Sequence, residues 1–315
     1  MSNPNPTTTT TTISAELPPD TRDPPPPYVP DADSDNDSDV PPPEYTGPRR
    51  PPRTLRPPFV PHVPFPPCIT AYYIYELSPA TLRCLRLCDA SDPSKTPLFT
   101  INLQFGRMHG PLADRRGFNL HNGPSRKDPV IAAAGDESSV DKYVALDDRS
   151  VVFIPPVRPA EDATVYHLVE EGMRHLAGGG GEAQGGVTFR WAVEVGRGRR
   201  NREVFEWRKK KIGGKGFELV RVRARPGVGS SVVENGEGFS NGDGEVVAVL
   251  SWPSGVVDTV KKAFMLEFKG TGLDGFLGDR WALMVIVTAA RIWCLRWRGK
   301  TTKGYVALAE TVHAK

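Results

Sequence analysis

Between Arg197 and Arg225 the sequence gathers twelve basic side chains against three glutamates. The candidate patch for an anionic partner is Arg197, Arg199, Arg200, Arg208, Lys209, Lys210, Lys211, Arg221, Arg223 and Arg225. Such a set can hold anionic lipid headgroups, at about 1 kcal/mol per residue near a membrane surface, or nucleic-acid phosphates. Lipid is the better fit of the two, and nucleic acid is not expected as a partner. A solvated charged hairpin accounts for the same run without any ligand.

A second kind of chemistry sits near the N-terminus, in PPPPYVPDADSDNDSDVPPPEY. Pro25-Pro26-Pro27-Tyr28 and Pro42-Pro43-Glu44-Tyr45 each fit the PPxY ligand of WW domains. A proline run is already extended as polyproline II, so it loses little entropy on docking into an aromatic groove, and the tyrosine ring adds an anchor. The site residues are thus Pro25, Pro26, Tyr28, Pro42, Pro43 and Tyr45. The two tyrosines are roughly 23 Å apart if the intervening chain is flexible, and farther if proline and charge stiffen it. Neighbouring WW domains of one partner could then be engaged together, raising avidity without new contacts. WW domains occur in tandem in HECT-type ubiquitin ligases, which makes such a ligase a candidate partner.

Catalytic patterns are missing. There is no G-x-S-x-G elbow, H-E-x-x-H pair or Walker loop, and GGKGF lacks the spacing that cradles a phosphate. The six histidines are scattered, and Cys84 and Cys88 have no ligand neighbours in sequence, so neither metal nor cofactor is expected. Asp31, Asp33, Asp35, Asp37 and Asp39 imitate the start of a calcium loop, but its turn glycine and final glutamate are missing. The chain reads as a non-enzymatic binding protein.

Residues 1–67 are rich in proline, threonine and aspartate and poor in large apolar side chains, a composition that reads as a disordered leader. Nine acids and one arginine give residues 1–47 a charge of −8, which leaves about +11 on the rest of a chain whose net charge is +3. That leader could fold back on the basic run. Four cysteines without a disulfide framework suggest a reducing compartment. With no signal-peptide pattern and no membrane-length apolar run, we expect a cytoplasmic protein, peripheral at membranes if it binds lipid.

From Cys68 onward the pattern becomes that of half-buried strands. LFTINLQF, VTFRWAVEV, FELVRVRAR, EVVAVLSW and FMLEF alternate apolar and polar positions. AYYIYEL and SVVFIP are further strands, and YHLVEEGMRHLAGGGG reads as either a strand entry or a short helix. In FELVRVRAR the alternation places Val220, Val222 and Ala224 on one face. It puts Arg221, Arg223 and Arg225 on the other, expected to face outward. WALMVIVTAARIWCL, from Trp281 to Leu295, breaks the period of two and holds one strong charge, Arg291. A helix that is apolar all round needs partners all round. A closed antiparallel barrel supplies that lining and leaves no open strand edge. The expected fold is therefore mainly β: a closed antiparallel β-barrel around a buried C-terminal helix. The alternative is an amphipathic helix lying across an open sheet.

The run VTFRWAVEVGRGRRNREVFEWRKKK, then GKGFELVRV, EVVAVLSW and LEFKGTGLDGFLGDRWALMVIVTAARIW, resembles fungal proteins carrying a tubby C-terminal-like domain. That superfamily also holds the tubby, LURP-one-related and phospholipid scramblase domains. The resemblance covers roughly residues 69–298. It implies a barrel of about a dozen strands threaded by a hydrophobic C-terminal helix. Phosphoinositide binding enters by fold analogy alone, since no tubby-type phosphoinositide motif is recognisable here. The expected organisation is a leader over 1–67, a barrel over 68–298 and a tail over 299–315. As to function, the reading is an adaptor that docks WW domains and offers a basic face to an anionic partner. Its alternative is an anionic-lipid-binding or scramblase-like protein with the leader as spacer.

Overall fold

The computed structural model describes residues 60–74, 84–105, 110–139, 146–157, 168–178, 186–196, 201–210, 215–222, 244–254 and 256–313. Among them are twelve strands: β1 (Cys68–Ile74), β2 (Cys84–Asp89), β3 (Pro97–Gln104), β4 (Arg115–His121), β5 (Val130–Ser139) and β6 (Arg149–Ile154) come first. They continue with β7 (Val169–Ala177), β8 (Val187–Val195), β9 (Asn201–Lys209), β10 (Gly216–Val222), β11 (Glu245–Ser251) and β12 (Lys262–Phe268). Three α-helices, α1 (Val256–Lys261), α2 (Asp279–Trp297) and α3 (Lys303–His313), and a short 3-10 turn (Gly270–Gly272) complete the set.

Each strand pairs antiparallel with the next, and β1 closes the ring by pairing with β12. Closure removes the open edges that would otherwise recruit other chains. The expected barrel is therefore present, and α2 is the helix inside it. Fifteen of its nineteen residues are buried, among them Trp281, Val285, Ile286, Ile292 and Trp293. The segment read as either strand or helix is strand β7, and TLRCLRLC contributes strand β2, with both cysteines buried in the wall.

The strands facing α2 make room for it. In β5, Ala132 and Ala134 face Leu120 and Phe118 across β4, so small residues line the side where helix and sheet lie close. Gly117 and Gly135 sit opposite each other on those two strands, on the outer register. A Cβ on Gly117 would meet the Ala134 carbonyl oxygen at 2.0 Å, so the pairing requires glycine. At the start of α2, Gly278 has φ +86°, a backbone conformation that glycine adopts without strain. The helix carries Asp279 in its first turn and Arg296 in its last, which matches its macrodipole.

Aromatic side chains fill the interior. Trp191 stacks on Phe205 at 4.9 Å between centroids, and Phe205 and Phe268 flank Trp281 at 5.9 and 5.7 Å. Trp207 donates its indole N–H to Thr288 Oγ1 at 3.0 Å, which satisfies a buried polar atom and fixes the rotation of the helix against β9. The stretch after α2 contains α3, which lies on β7. Val306 and Ala309 are buried there, and Glu310 accepts the Ala177 N–H at 3.0 Å. Ahead of β1, Phe65 packs on Phe99 of β3 at 5.2 Å.

Trp281→Ala should destabilise the barrel by about 3–5 kcal/mol, the usual cost of deleting a buried aromatic ring. Leu308→Ala, at a position that is 54% exposed on α3, should stay within about 0.5 kcal/mol. Guanidinium unfolding of the two variants beside the parent measures both, and similar losses would mean that α2 is not the main core.

Candidate functional site

The described part of the basic run lies on β9 and β10 and at the residues that directly flank them, Lys210 and Lys215. Outer-face pairing has already used some of its charge. Glu206, 1% exposed, accepts from Arg208 Nε at 2.8 Å and from Arg190 Nη2 at 2.6 Å, a three-residue ladder on the barrel's outside. Lys209 is exposed and Lys210 half-buried at the end of β9. Arg197, Arg199, Arg200, Lys211, Arg223 and Arg225 lie outside the described residues, as do Pro25, Pro26, Tyr28, Pro42, Pro43 and Tyr45 of the PPxY motifs.

Arg221 corrects the strand phase expected for FELVRVRAR. It pairs in register with Phe205, and Leu219 pairs with Trp207, so Phe217, Leu219 and Arg221 share the inward register. Val220 pairs with Glu206 on the outer face. The alternation was real but its phase was inverted, because both faces of this strand carry apolar residues and valine gives no direction. Arg221 sits at the barrel rim, bidentate to Glu203 at 2.5 and 2.7 Å and 3.9 Å from Glu245. The hydrogen bond to Glu203 holds its guanidinium above the ordinary arginine pKa. It is a neutralised rim group, so the outward patch is narrower than the sequence suggests.

Two charged clusters tied to α2 escaped the sequence reading, one at the barrel rim and one buried. One surrounds the start of α2: Arg280 donates to Glu171 at 2.8 Å and approaches Glu194 at 3.3 Å, and it also donates to the Pro155 carbonyl. Arg202 adds contacts to the same two glutamates at 2.6 and 2.8 Å. Two arginines and two glutamates thus compensate each other where β7, β8 and β9 meet the helix.

The other lies toward the end of α2. Arg291, fully buried, donates Nη2 to Asp136 on β5 at 2.5 Å and Nε to Ser150 Oγ on β6 at 2.8 Å. Ser150 Oγ is also 2.9 Å from His175 Nε2 on β7. Arg298 grips the same carboxylate through both amino groups, at 3.0 and 2.8 Å, and Lys300 stands 3.9 Å away. Burial would raise the Asp136 pKa, but Arg291, Arg298 and Lys300 outweigh it and hold the carboxyl well below the usual range. Burial, with Arg291 close by, pushes the His175 imidazole down to about 3. It also lowers Lys300 from the usual lysine value. The signal in the sequence was Arg291 itself, since a lone charge in an apolar helix must meet a buried acid.

Two cavities open near this cluster. The larger, about 730 Å³, is polar and lies between β4, β5, β6, β7 and α3, with Arg115, Arg149, Arg174, Glu137 and Glu310 on its walls. The smaller, about 360 Å³, lies between β3, β4 and the last turns of α2. Among the described residues, no group of three or more His, Cys, Asp or Glu side chains could hold a metal ion. None of the described helices is long and apolar enough to cross a membrane. No family model matches the chain, and no curated protein and no solved structure matches it either.

His175 generates a pH prediction. Its folded pKa lies below the unfolded value of about 6.5, so the unfolded chain binds a proton that the fold excludes. Stability should therefore fall as pH drops from about 6.5, by up to about 1.4 kcal/mol per pH unit. Asp136 acts lower down: its contribution is complete above about pH 4 and is lost below that. Urea unfolding between pH 7 and 5 reads the histidine window, and His175→Gln should flatten the slope there. An unchanged slope would assign the effect to another group.

Proposed function

We propose that this protein is a non-enzymatic adaptor. Its leader docks the WW domains of a partner through Tyr28 and Tyr45, and its barrel offers a binding surface to an anionic partner. The observation that carries this reading is the pair of PPxY motifs, seventeen positions apart from tyrosine to tyrosine, in a Pro-rich segment ahead of the barrel. One motif in a Pro-rich region is weak; two at a spacing that adjacent WW domains can span make a bivalent ligand. A tandem-WW ubiquitin ligase of the HECT type fits that requirement, with the barrel acting as cargo or as the surface that selects cargo.

The state of the barrel supports a surface-binding role. Its interior is occupied by α2, so a partner must meet the outside, a rim or a cavity near one end. The second reading, an anionic-lipid-binding protein with the leader as spacer, rests on exposed Lys209 and half-buried Lys210 at the end of β9. In that reading Lys209→Ala/Lys210→Ala weakens binding to phosphatidylserine vesicles while the PPxY variants leave it unchanged.

The test is calorimetric titration of the full chain against a tandem WW protein. The parent should bind more tightly than Tyr28→Ala or Tyr45→Ala alone, and the double variant should show no binding. Equal affinity of the parent and each single variant would remove bivalency. Parent-like binding by the double variant would remove the motifs as the docking site.

A further inference from the structure

The smaller cavity combines features that the adaptor reading does not use. Its apolar wall is Leu103 and Phe105 from the end of β3, with Cys294 and Trp297 from α2. Its basic wall is Arg116 on β4 with Arg291 and Arg298. Arg116 lies beside the register irregularity that separates Arg115 from Gly117 in the β4–β5 pairing, and it lines the cavity there.

Three guanidiniums on one small cavity demand anions. Asp136 supplies one carboxylate, shared by Arg291 and Arg298, and cannot neutralise both. Arg291 also retains a buried polar atom without a partner: Nε and Nη2 are engaged, and Nη1 is not. A buried guanidinium N–H without an acceptor is costly, and a charge-assisted hydrogen bond to an anion would satisfy it.

The apolar wall carries a matching excess. Trp297 is 55% exposed and Phe105 49% exposed, and their rings lie 6.3 Å apart at the cavity mouth. Trp297 is also stacked parallel on Trp293, which fixes its ring plane. Large apolar side chains held in place at an opening are surface that a ligand body can cover. The volume of about 360 Å³ is near the lower end of the range for ligand pockets, roughly 300–1,000 Å³, which excludes a two-chain lipid lying wholly inside.

We propose that this cavity is a binding site for a small organic anion: one carboxylate or phosphate held by the arginines, on a short apolar body that lies against Phe105 and Trp297. The inference uses no residue of the PPxY motifs, so its success or failure leaves the WW-docking part of the adaptor reading untouched.

Sodium decanoate is the probe, titrated below its micelle concentration into the full chain and followed by calorimetry and tryptophan emission. Decanol and decyltrimethylammonium serve as uncharged and cationic counterparts, and decyl phosphate as the second anion. The expected result is saturable binding of one decanoate or decyl phosphate per chain with a change in tryptophan emission. Decanol and the cation should bind at least tenfold more weakly. Arg116→Gln should weaken anion binding at least tenfold, and Phe105→Ala/Trp297→Ala should do likewise; circular dichroism verifies that these rim variants remain folded.

Equal affinity for decanol would overturn the proposal by showing an apolar surface that ignores charge. Decanoate binding unaffected by all three rim substitutions would place the site elsewhere and overturn it too. So would the absence of saturable binding to free decanoate or decyl phosphate together with binding to phosphatidylserine vesicles, since that assigns recognition to a membrane surface instead of a cavity.

Discussion

The architecture follows from one constraint: α2 cannot stay in water. With apolar residues on every side from Trp281 to Leu295 and buried faces all round, it needs an enclosure, and twelve strands closed by the β1–β12 pairing provide one. The wall follows from the same need. Alanine on β5 permits close approach, while aromatic rings on β8, β9 and β12 fill the wider parts around Trp281.

Apolar burial alone would leave the helix free to turn or slide, and the polar contacts restrict it. Arg280 is tied to Glu171 and Glu194 near one end, Thr288 receives Trp207 in the middle, and Arg291 meets Asp136 and Ser150 farther along. These contacts belong to different strands, so only one rotation and one depth satisfy all of them. A buried ion pair adds little net stability against an apolar pair of the same size, but breaking one partner away is expensive. Its physical role here is to penalise every other placement of the helix.

Much of the barrel could be read from residues. VTFRWAVEV and LFTINLQF alternate because one face of each strand packs against the interior, whereas β11 carries five consecutive apolar residues and an irregular pairing with β10. The apolar run from Trp281 identified the central helix because its length and lack of a polar stripe admit few environments. β5 was harder to see, because VIAAAGDESS has small residues on both faces and is buried on both. β10 could be located but not oriented: valine, leucine and phenylalanine occupy both registers, and only pairing with β9 decides which side is inside. The Asp136, Ser150, His175 and Arg291 cluster joins three strands and a helix across more than 150 positions, and no local spacing encodes that meeting. The PPxY motifs are the opposite case, since the peptide itself is the recognition element and needs no fold to be read.

The placement of α2 after all twelve strands has a consequence for biogenesis. A ribosome releases β1 first and α2 only after all twelve strands, so the wall is synthesised before the element that fills it. Until α2 emerges, the inward faces of the nascent strands lack their principal partner, and the β1–β12 contact must also wait for residues from opposite ends of the domain. The barrel is therefore assembled late and through distant contacts, which places it among slowly folding topologies whose unfinished forms expose apolar surface. A premature stop anywhere before Asp279 would leave a wall without contents, a substrate for chaperones and proteases and not a smaller version of the protein.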